Sequence, residues 1–297
     1  MPATTVAAAT HSIPSPESLK AAIHGTTPTS DDGAQFDVAS LFVADKATRE
    51  SAASALAAIA QKEGPKAFAT ISFTDAAVKA LNDKKSPAAR EGAADAVRKI
   101  SSTQNAINAL EPVFVSSGLF DTLLETFADK MPAVRNTAVD AVKAFVAAMN
   151  PWACAIIMPT LLHQIKTAGK WQVKTGALII LNQLVVSAPA QTARLMPDIV
   201  PVLSEAIWDT KADVKKAARD SLTKACALVS NKDIERFIPA LISALINPVE
   251  EVPKTIQLLS ATTFVSEVDS PTLALMVPLL ARGLNEKLTA TKRKVAV

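Results

Sequence analysis

The chain has 297 residues, of which 49% are hydrophobic and 4% aromatic, with 8 Gly, 18 Pro, 2 Cys, no Tyr and a formal net charge of +3. So few glycines exclude a fold built on tight turns or phosphate loops, and so small a charge allows contact with nucleic acid through local patches without demanding it. No run reaches the roughly 18 uninterrupted apolar residues of a membrane span, and the N-terminus lacks the charged and apolar regions of a signal peptide.

In chain order, residues 1–35 are rich in Ala, Thr, Ser and Pro without a sustained period, and read as a flexible tail with a short helix near Ser18–Ile23. The tail holds no Arg, which argues against a mitochondrial presequence. From Phe36 onward a helical period sets in. A first helix pair is expected over 36–64, with Ala52, Leu56, Ile59 and Ala60 on one face. A second covers 73–103 and a third 118–149, with Asn105–Ser117 between them as a longer connection or an irregular helix. The fourth runs 155–188, the fifth 194–229 and the sixth 236–268. A seventh starts at Thr272 and is cut off at Val297, so an apolar edge is expected there. Pro132, Pro159, Pro197, Pro201, Pro239 and Pro278 are expected at helix starts, where the missing N–H costs nothing. Cys154 and Cys226 lack metal or redox spacing and read as reduced core residues, which fits a cytosolic protein.

A basic residue opens the second helix of each pair: Arg49, Arg90, Arg135, Lys174, Lys215, Lys254 and Arg293, spaced by 41, 45, 39, 41, 39 and 39. A period of roughly 40–47 is that of HEAT or armadillo repeats. The expected fold is therefore all-α: an α-solenoid of antiparallel helix pairs over 36–297, about six full repeats plus a truncated seventh. Such arrays bury one long core and offer long faces to macromolecules. A cation at a helix N-terminus meets an unfavourable dipole, so its repetition implies a compensating partner. Asp83, Asp129 and Asp209, at comparable turn positions, are expected to supply it as a ladder.

No nucleotide-binding loop is present. Gly169-Lys170 is the only Gly-Lys pair, with Gln164 where the first Gly of that loop is needed and Trp171 where the hydroxyl is needed. His11, His24 and His163 have no ligand partner at useful spacing, and Gly-x-Ser-x-Gly is absent. Glu250-Glu251 is expected in an inter-helix turn as solvated charge. No catalytic, cofactor or metal residue is expected, so the chain does not read as an enzyme.

From Trp152 onward the chain closely resembles the HEAT region of fungal translation elongation factor 3. Four blocks carry the resemblance: Leu195–Glu205 with Trp208-Asp209-Thr210-Lys211; Asn231–Pro239; Ala261-Thr262-Thr263-Phe264-Val265; and Met276–Leu280 with Arg282–Glu286 and Lys292-Arg293-Lys294. Residues 36–150 resemble that family mainly in pattern. The resemblance implies a cytoplasmic, ribosome-bound factor whose HEAT array grips small-subunit rRNA and proteins, with other translation factors among its partners and no membrane or small-molecule substrate. In the full-length family, ABC cassettes that follow the array use ATP and Mg to drive release of tRNA from the exit site. This chain stops inside the array, so neither ATP nor Mg is expected on it. The HEAT region of the Gcn2-kinase activator shares the Ala-Thr-Thr-Phe-Val and Arg-Gly-Leu blocks, and a TOG-like tubulin-binding array fits the architecture alone.

The candidate ribosome contacts follow from the turns of the array. Lys84, Lys85, Lys130, Lys166, Lys170, Lys211, Lys215 and Lys216 are expected along one edge, where aligned cations would pair with phosphates. Lys287, Lys292, Arg293 and Lys294 add a second group. Trp171, flanked by Lys170 and Lys174, could stack on a base or fill a partner's pocket. Trp208 is expected to wedge between neighbouring pairs instead.

Overall fold

The computed structural model describes residues 36–286 and 289–296; the expectations for residues 1–35 and for Lys287 lie outside the described residues. Among the described residues the secondary structure is helical, with no strand. A 3-10 turn at Val38–Phe42 leads into α1 (Lys46–Glu63), α2 (Pro65–Ile71) and α3 (Phe73–Leu81). There follow α4 (Pro87–Ser102), α5 (Ile107–Phe114), α6 (Leu119–Thr126), α7 (Pro132–Ala148), α8 (Cys154–Thr167) and α9 (Trp171–Ser187). The rest are α10 (Pro189–Arg194), α11 (Met196–Ala206), α12 (Ala212–Cys226), α13 (Lys232–Glu235), α14 (Ile238–Ile246), α15 (Pro248–Ser260), α16 (Ser270–Asn285) and α17 (Thr289–Ala296). No described helix is long and apolar enough to cross a membrane.

Local chemistry sets the helix starts. Asp45 Oδ2 accepts the Thr48 N–H at 2.8 Å ahead of α1, and Ser86 Oγ accepts the Ala89 N–H at 3.1 Å ahead of α4. Each such cap stabilises its helix by about 1 kcal/mol. Pro87, Pro132, Pro189 and Pro248 occupy first helical positions, where no N–H is needed.

The second helices of the pairs, α1, α4, α7, α9 and α12, stack in chain order. On the other layer α3 packs against α6, and α8 against α11. The core runs unbroken between the layers, as expected for an α-solenoid. Ala52, Leu56, Ile59 and Ala60 are buried on one face of α1. Asn105–Ser117 contains the irregular α5, whose Phe114 stacks on Phe145 of α7 with ring centroids 3.7 Å apart. Burying a side chain of that size contributes about 1.5–3 kcal/mol.

Two glycines allow layers to approach closely. A Cβ on Gly92 of α4 would lie 2.0 Å from the Leu41 carbonyl oxygen and 2.8 Å from Cδ of Arg49. A Cβ on Gly176 of α9 would lie 2.2 Å from the buried Phe127 ring.

The later repeats depart from expectation. The sixth pair ends at Ser260, not at residue 268, and residues 261–269 form no helix. This segment is tied down because Asp233 Oδ2 accepts the N–H groups of Val265 and Ser266, at 2.9 and 2.7 Å. Glu250 and Glu251 lie in the first turn of α15 rather than in an inter-helix turn, where a helix dipole favours carboxylates. Lys254 does not open its helix. It lies in the middle of α15 and pairs with Glu251 of the same helix at 2.8 Å. The stack changes direction here as well: α12 meets α14, α15 packs on α16 and α17, and α16 returns to α11.

Pro159, Pro201 and Pro278 lie inside α8, α11 and α16 rather than at helix starts. Each gives up one i→i−4 bond. Pro159 and Pro201 are on exposed faces, where the freed carbonyl can be hydrated.

Both cysteines are free and buried, as expected. Burial pushes the Cys226 thiol up to about 12 and raises that of Cys154, the latter opposed by contact with the Thr192 hydroxyl. Only the thiolate reacts readily. The native chain is therefore expected to leave both thiols unmodified by an aromatic disulfide reagent at pH 8, with two equivalents released on unfolding in guanidinium. Rapid modification without denaturant would contradict the packing of α8 and α12.

Candidate functional site: the turn edge

The turns of the second, third and fifth pairs share one construction. Asp83, Asp129 and Asp209 each accept the backbone N–H two residues further on, from Lys85, Met131 and Lys211, at 2.8, 2.8 and 2.9 Å. This is the turn chemistry that aspartate favours. The recurring basic residue is the fourth of its helix in α1, α4, α7, α9 and α12. In three of them it reaches back to carbonyls just before the helix. Arg49 Nη1 donates to the Val43 and Ala44 carbonyls at 3.1 and 2.8 Å. Arg90 Nη1 donates to the Asp83 carbonyl at 2.5 Å, and Arg135 Nη1 to those of Asp129 and Lys130 at 2.7 and 3.2 Å. These acceptors offset the unfavourable dipole.

The same cations cross to the next repeat. Arg90 holds Asp129 in a two-point pair, Nε to Oδ2 at 2.6 Å and Nη2 to Oδ1 at 3.2 Å. Lys174 reaches Asp209 at 2.8 Å, and Arg49 reaches Glu91 at 3.0 Å. The ladder thus runs through Asp129 and Asp209, while Glu91 takes the place expected for Asp83. Burial works against ionisation of Asp129, but the Arg90 hydrogen bond, the Met131 N–H and the charges of Arg90 and Arg135 together hold its carboxyl below the ordinary value. The Lys174 hydrogen bond and then the Lys211 N–H do the same for Asp209. The fourth repeat has Ala168-Gly169-Lys170 where the second, third and fifth have Asp, and Arg135 has no ion pair among the described residues.

The candidate contacts divide on this geometry. Lys84, Lys85, Lys130, Lys170 and Lys211 are exposed at the turns, and Lys216 is exposed in the first turns of α12. Lys84, Lys130 and Lys170, from three successive turns, line one cleft of about 270 Å³ together with Arg90 and Asp129. Lys174 is half-buried and engaged in the ladder, and Lys215 is half-buried. Lys166 lies in the last turn of α8 rather than in a turn, and pairs with Glu205 at 3.3 Å. Lys292, Arg293 and Lys294 are exposed on α17, away from this cleft's lining.

Trp171 is the first residue of α9 and 38% exposed. Trp208 is 58% exposed and not wedged between repeats, because it precedes the Asp209 turn on the outer side while its neighbour Ile207 fills the core. Trp152, which the sequence does not single out, is also exposed, with the Arg194 guanidinium 5.3 Å from its ring centre. His163 is exposed on α8, and no cluster of metal-ligating side chains occurs among the described residues.

Comparison with known proteins places this geometry. The family model described as EF3 N-terminal HEAT repeat matches residues 49–222, and that described as Elongation factor 3/GNC1 HEAT repeat matches residues 250–297. The chain is 55% identical over 248 residues to Elongation factor 3 of Mycosarcoma maydis, an alignment covering 84% of this chain and 23% of that protein. It is 44% identical over 225 residues to Elongation factor 3B of Saccharomyces cerevisiae, covering 76% of this chain and 21% of that one. The chain thus spans about a quarter of the length of the curated relatives it matches. Among solved structures, karyopherin Kap121p bound to the extreme C-terminus of Cdc14p is 14% identical, with a TM-score of 0.45 and coverage of 96% of this chain and 27% of that one. A computationally designed armadillo repeat protein is 17% identical, with a TM-score of 0.37 and coverage of 87% and 95%. With its helix pairs, its turn construction and more than half its length matched by the first family model, the chain belongs to the family of the elongation factor 3 N-terminal HEAT repeat.

Proposed function

We propose that this chain is the ribosome-binding HEAT module of an elongation factor 3-type translation factor, and that its basic turn edge holds rRNA phosphates. The observation that carries the reading is the cleft lined by Lys84, Lys130 and Lys170. Its Asp129 is already neutralised by Arg90, so the three lysines outnumber the one other carboxylate of the lining, Glu125, and the cleft keeps a positive balance toward a ligand. Phosphates entering such a cleft would release condensed counterions, making the binding steeply salt-dependent. The relatives named elongation factor 3 support the partner. On this reading the chain works in the cytoplasm and supplies grip, while ATP and Mg act on cassettes elsewhere in the full-length family.

Cosedimentation with purified 80S ribosomes and separated subunits across a salt series tests this. Saturable binding to the small subunit is expected, with each of Lys84→Gln, Lys130→Gln and Lys170→Gln lowering the salt slope by about one. Failure of the folded chain to bind at low salt would defeat the reading. Binding undiminished in the triple variant would move the contact away from this cleft.

A further inference from the structure

We propose that the edge of the array opposite the basic turns carries a second docking surface, for a short segment of a partner protein that combines a bulky apolar side chain with a Lys or Arg. The site is an open cavity of about 500 Å³ between α5, α7 and α8. It is lined by Asn108, Glu111, Pro112, Val115, Phe145 and Ile156, among others, and most of that lining is carbon. Its volume falls in the roughly 300–1,000 Å³ range of clefts that bind ligands.

Its place in the fold separates it from the phosphate edge. Phe145 lies near the end of α7, whereas Asp129 and Lys130 precede its start. From the start of α7 to Phe145 there are 13 rises of about 1.5 Å, which puts the two surfaces about 20 Å apart along the helix. Both can be occupied at once.

Charge chooses the occupant. Glu111 Oε1 accepts the Asn150 N–H at 3.2 Å, and Glu111 has no ion pair among the described residues. A carboxylate at the wall of an apolar cleft with no lysine or arginine in its lining repels phosphate and selects a cation. The mouth is apolar too. Ile156, in the lining, is 64% exposed; Trp152, one residue before the lining Ala153, is 63% exposed and outside the lining, with the Arg194 guanidinium 5.3 Å from its ring centre. Contiguous exposed apolar side chains with a polar rim mark protein contacts. The occupant that satisfies both features is a peptide segment whose apolar side chain fills the cleft and whose cation reaches Glu111.

Displayed random heptapeptides panned against the full chain provide the probe, and a synthetic peptide from the leading clone is then titrated by fluorescence anisotropy. The expected consensus pairs Phe, Leu or Ile with Lys or Arg. Affinity is expected to fall about ten-fold or more in Ile156→Glu and in Glu111→Lys, and less in Glu111→Gln. Variants are compared only where helicity and melting match the parent; Ile156, being exposed, can be replaced without opening the core. An acidic consensus, no enrichment, or equal binding to Ile156→Glu would overturn the proposal. So would a dimer in sedimentation that Ile156→Glu abolishes, since a second copy would then be the occupant.

Discussion

Replacing Arg90 with alanine is expected to destabilise the array by about 1.5–3 kcal/mol, because it leaves a part-buried carboxylate without its charged hydrogen-bond partner. Both side chains of the Arg90–Asp129 pair are close to inaccessible, at 9% and 11% exposure. Arg90 also satisfies the Asp83 carbonyl, so one substitution removes bonds in two repeats. Exposed Lys166 is the contrast. Its pair with Glu205 is open to solvent, and Lys166→Ala is expected to change stability by no more than about 0.5 kcal/mol. Urea denaturation followed by circular dichroism measures both. A loss of less than about 1 kcal/mol for Arg90→Ala would mean that the rung adds nothing beyond solvated charge. The same rung fixes an acid response. The carboxyl of Asp129 is held below its ordinary value of 3.8, so its contribution is fully present above that pH and disappears as the pH falls through the lower folded value. Asp129→Asn should flatten this part of the stability profile below about pH 4.

Gly92→Ala is expected to cost about 1–3 kcal/mol or more, against the general preference of helices for alanine. That preference alone would stabilise α4 by about 1 kcal/mol. The added methyl would meet a backbone oxygen, which cannot rotate away, and the Arg49 side chain that holds Glu91. Overpacking therefore outweighs propensity. Gly176→Ala should behave alike, because its methyl would enter the fully packed ring of Phe127. Gly169, with open space around it, is the control: Gly169→Ala meets no steric barrier. Thermal melts of the three variants would settle the sign. An unchanged or raised midpoint for Gly92→Ala would refute the close approach of α4 to the Val38–Phe42 turn.

Much of this was legible in the residues. The recurrence of Arg49, Arg90, Arg135, Lys174 and Lys215 marks the fourth position of five helices, because a stacked array has to repeat its contacts. Asp129 and Asp209 were readable as rungs because turn chemistry and charge agree there. Glu91 was not, since a glutamate on a helix surface carries no signal until its neighbour is placed against it. Lys174 reads in sequence both as a rung of the ladder and as a contact beside Trp171, and the structure engages it with Asp209, 35 residues on, as Arg90 is engaged with Asp129, 39 residues on. The period fails at Lys254 because α14 and α15 are joined through Asn247 alone, which shifts the helix start upstream. The cleft beside Ile156 draws its walls from segments about forty residues apart, and no local pattern announces such a space.

The ladder also determines how the array shares load. Rungs join the first repeat to the second through Arg49 and Glu91, the second to the third through Arg90 and Asp129, and the fourth to the fifth through Lys174 and Asp209. Between the third and fourth the acid is missing, and Phe127 seated over Gly176 joins them instead. In a one-dimensional array, cooperativity is the sum of such nearest-neighbour couplings. Acid and salt weaken the ionic joints and leave the aromatic one intact. The coupling of the third repeat to the fourth should therefore depend least on pH and salt, while the apolar core that runs through all the repeats holds the array together on both sides of it.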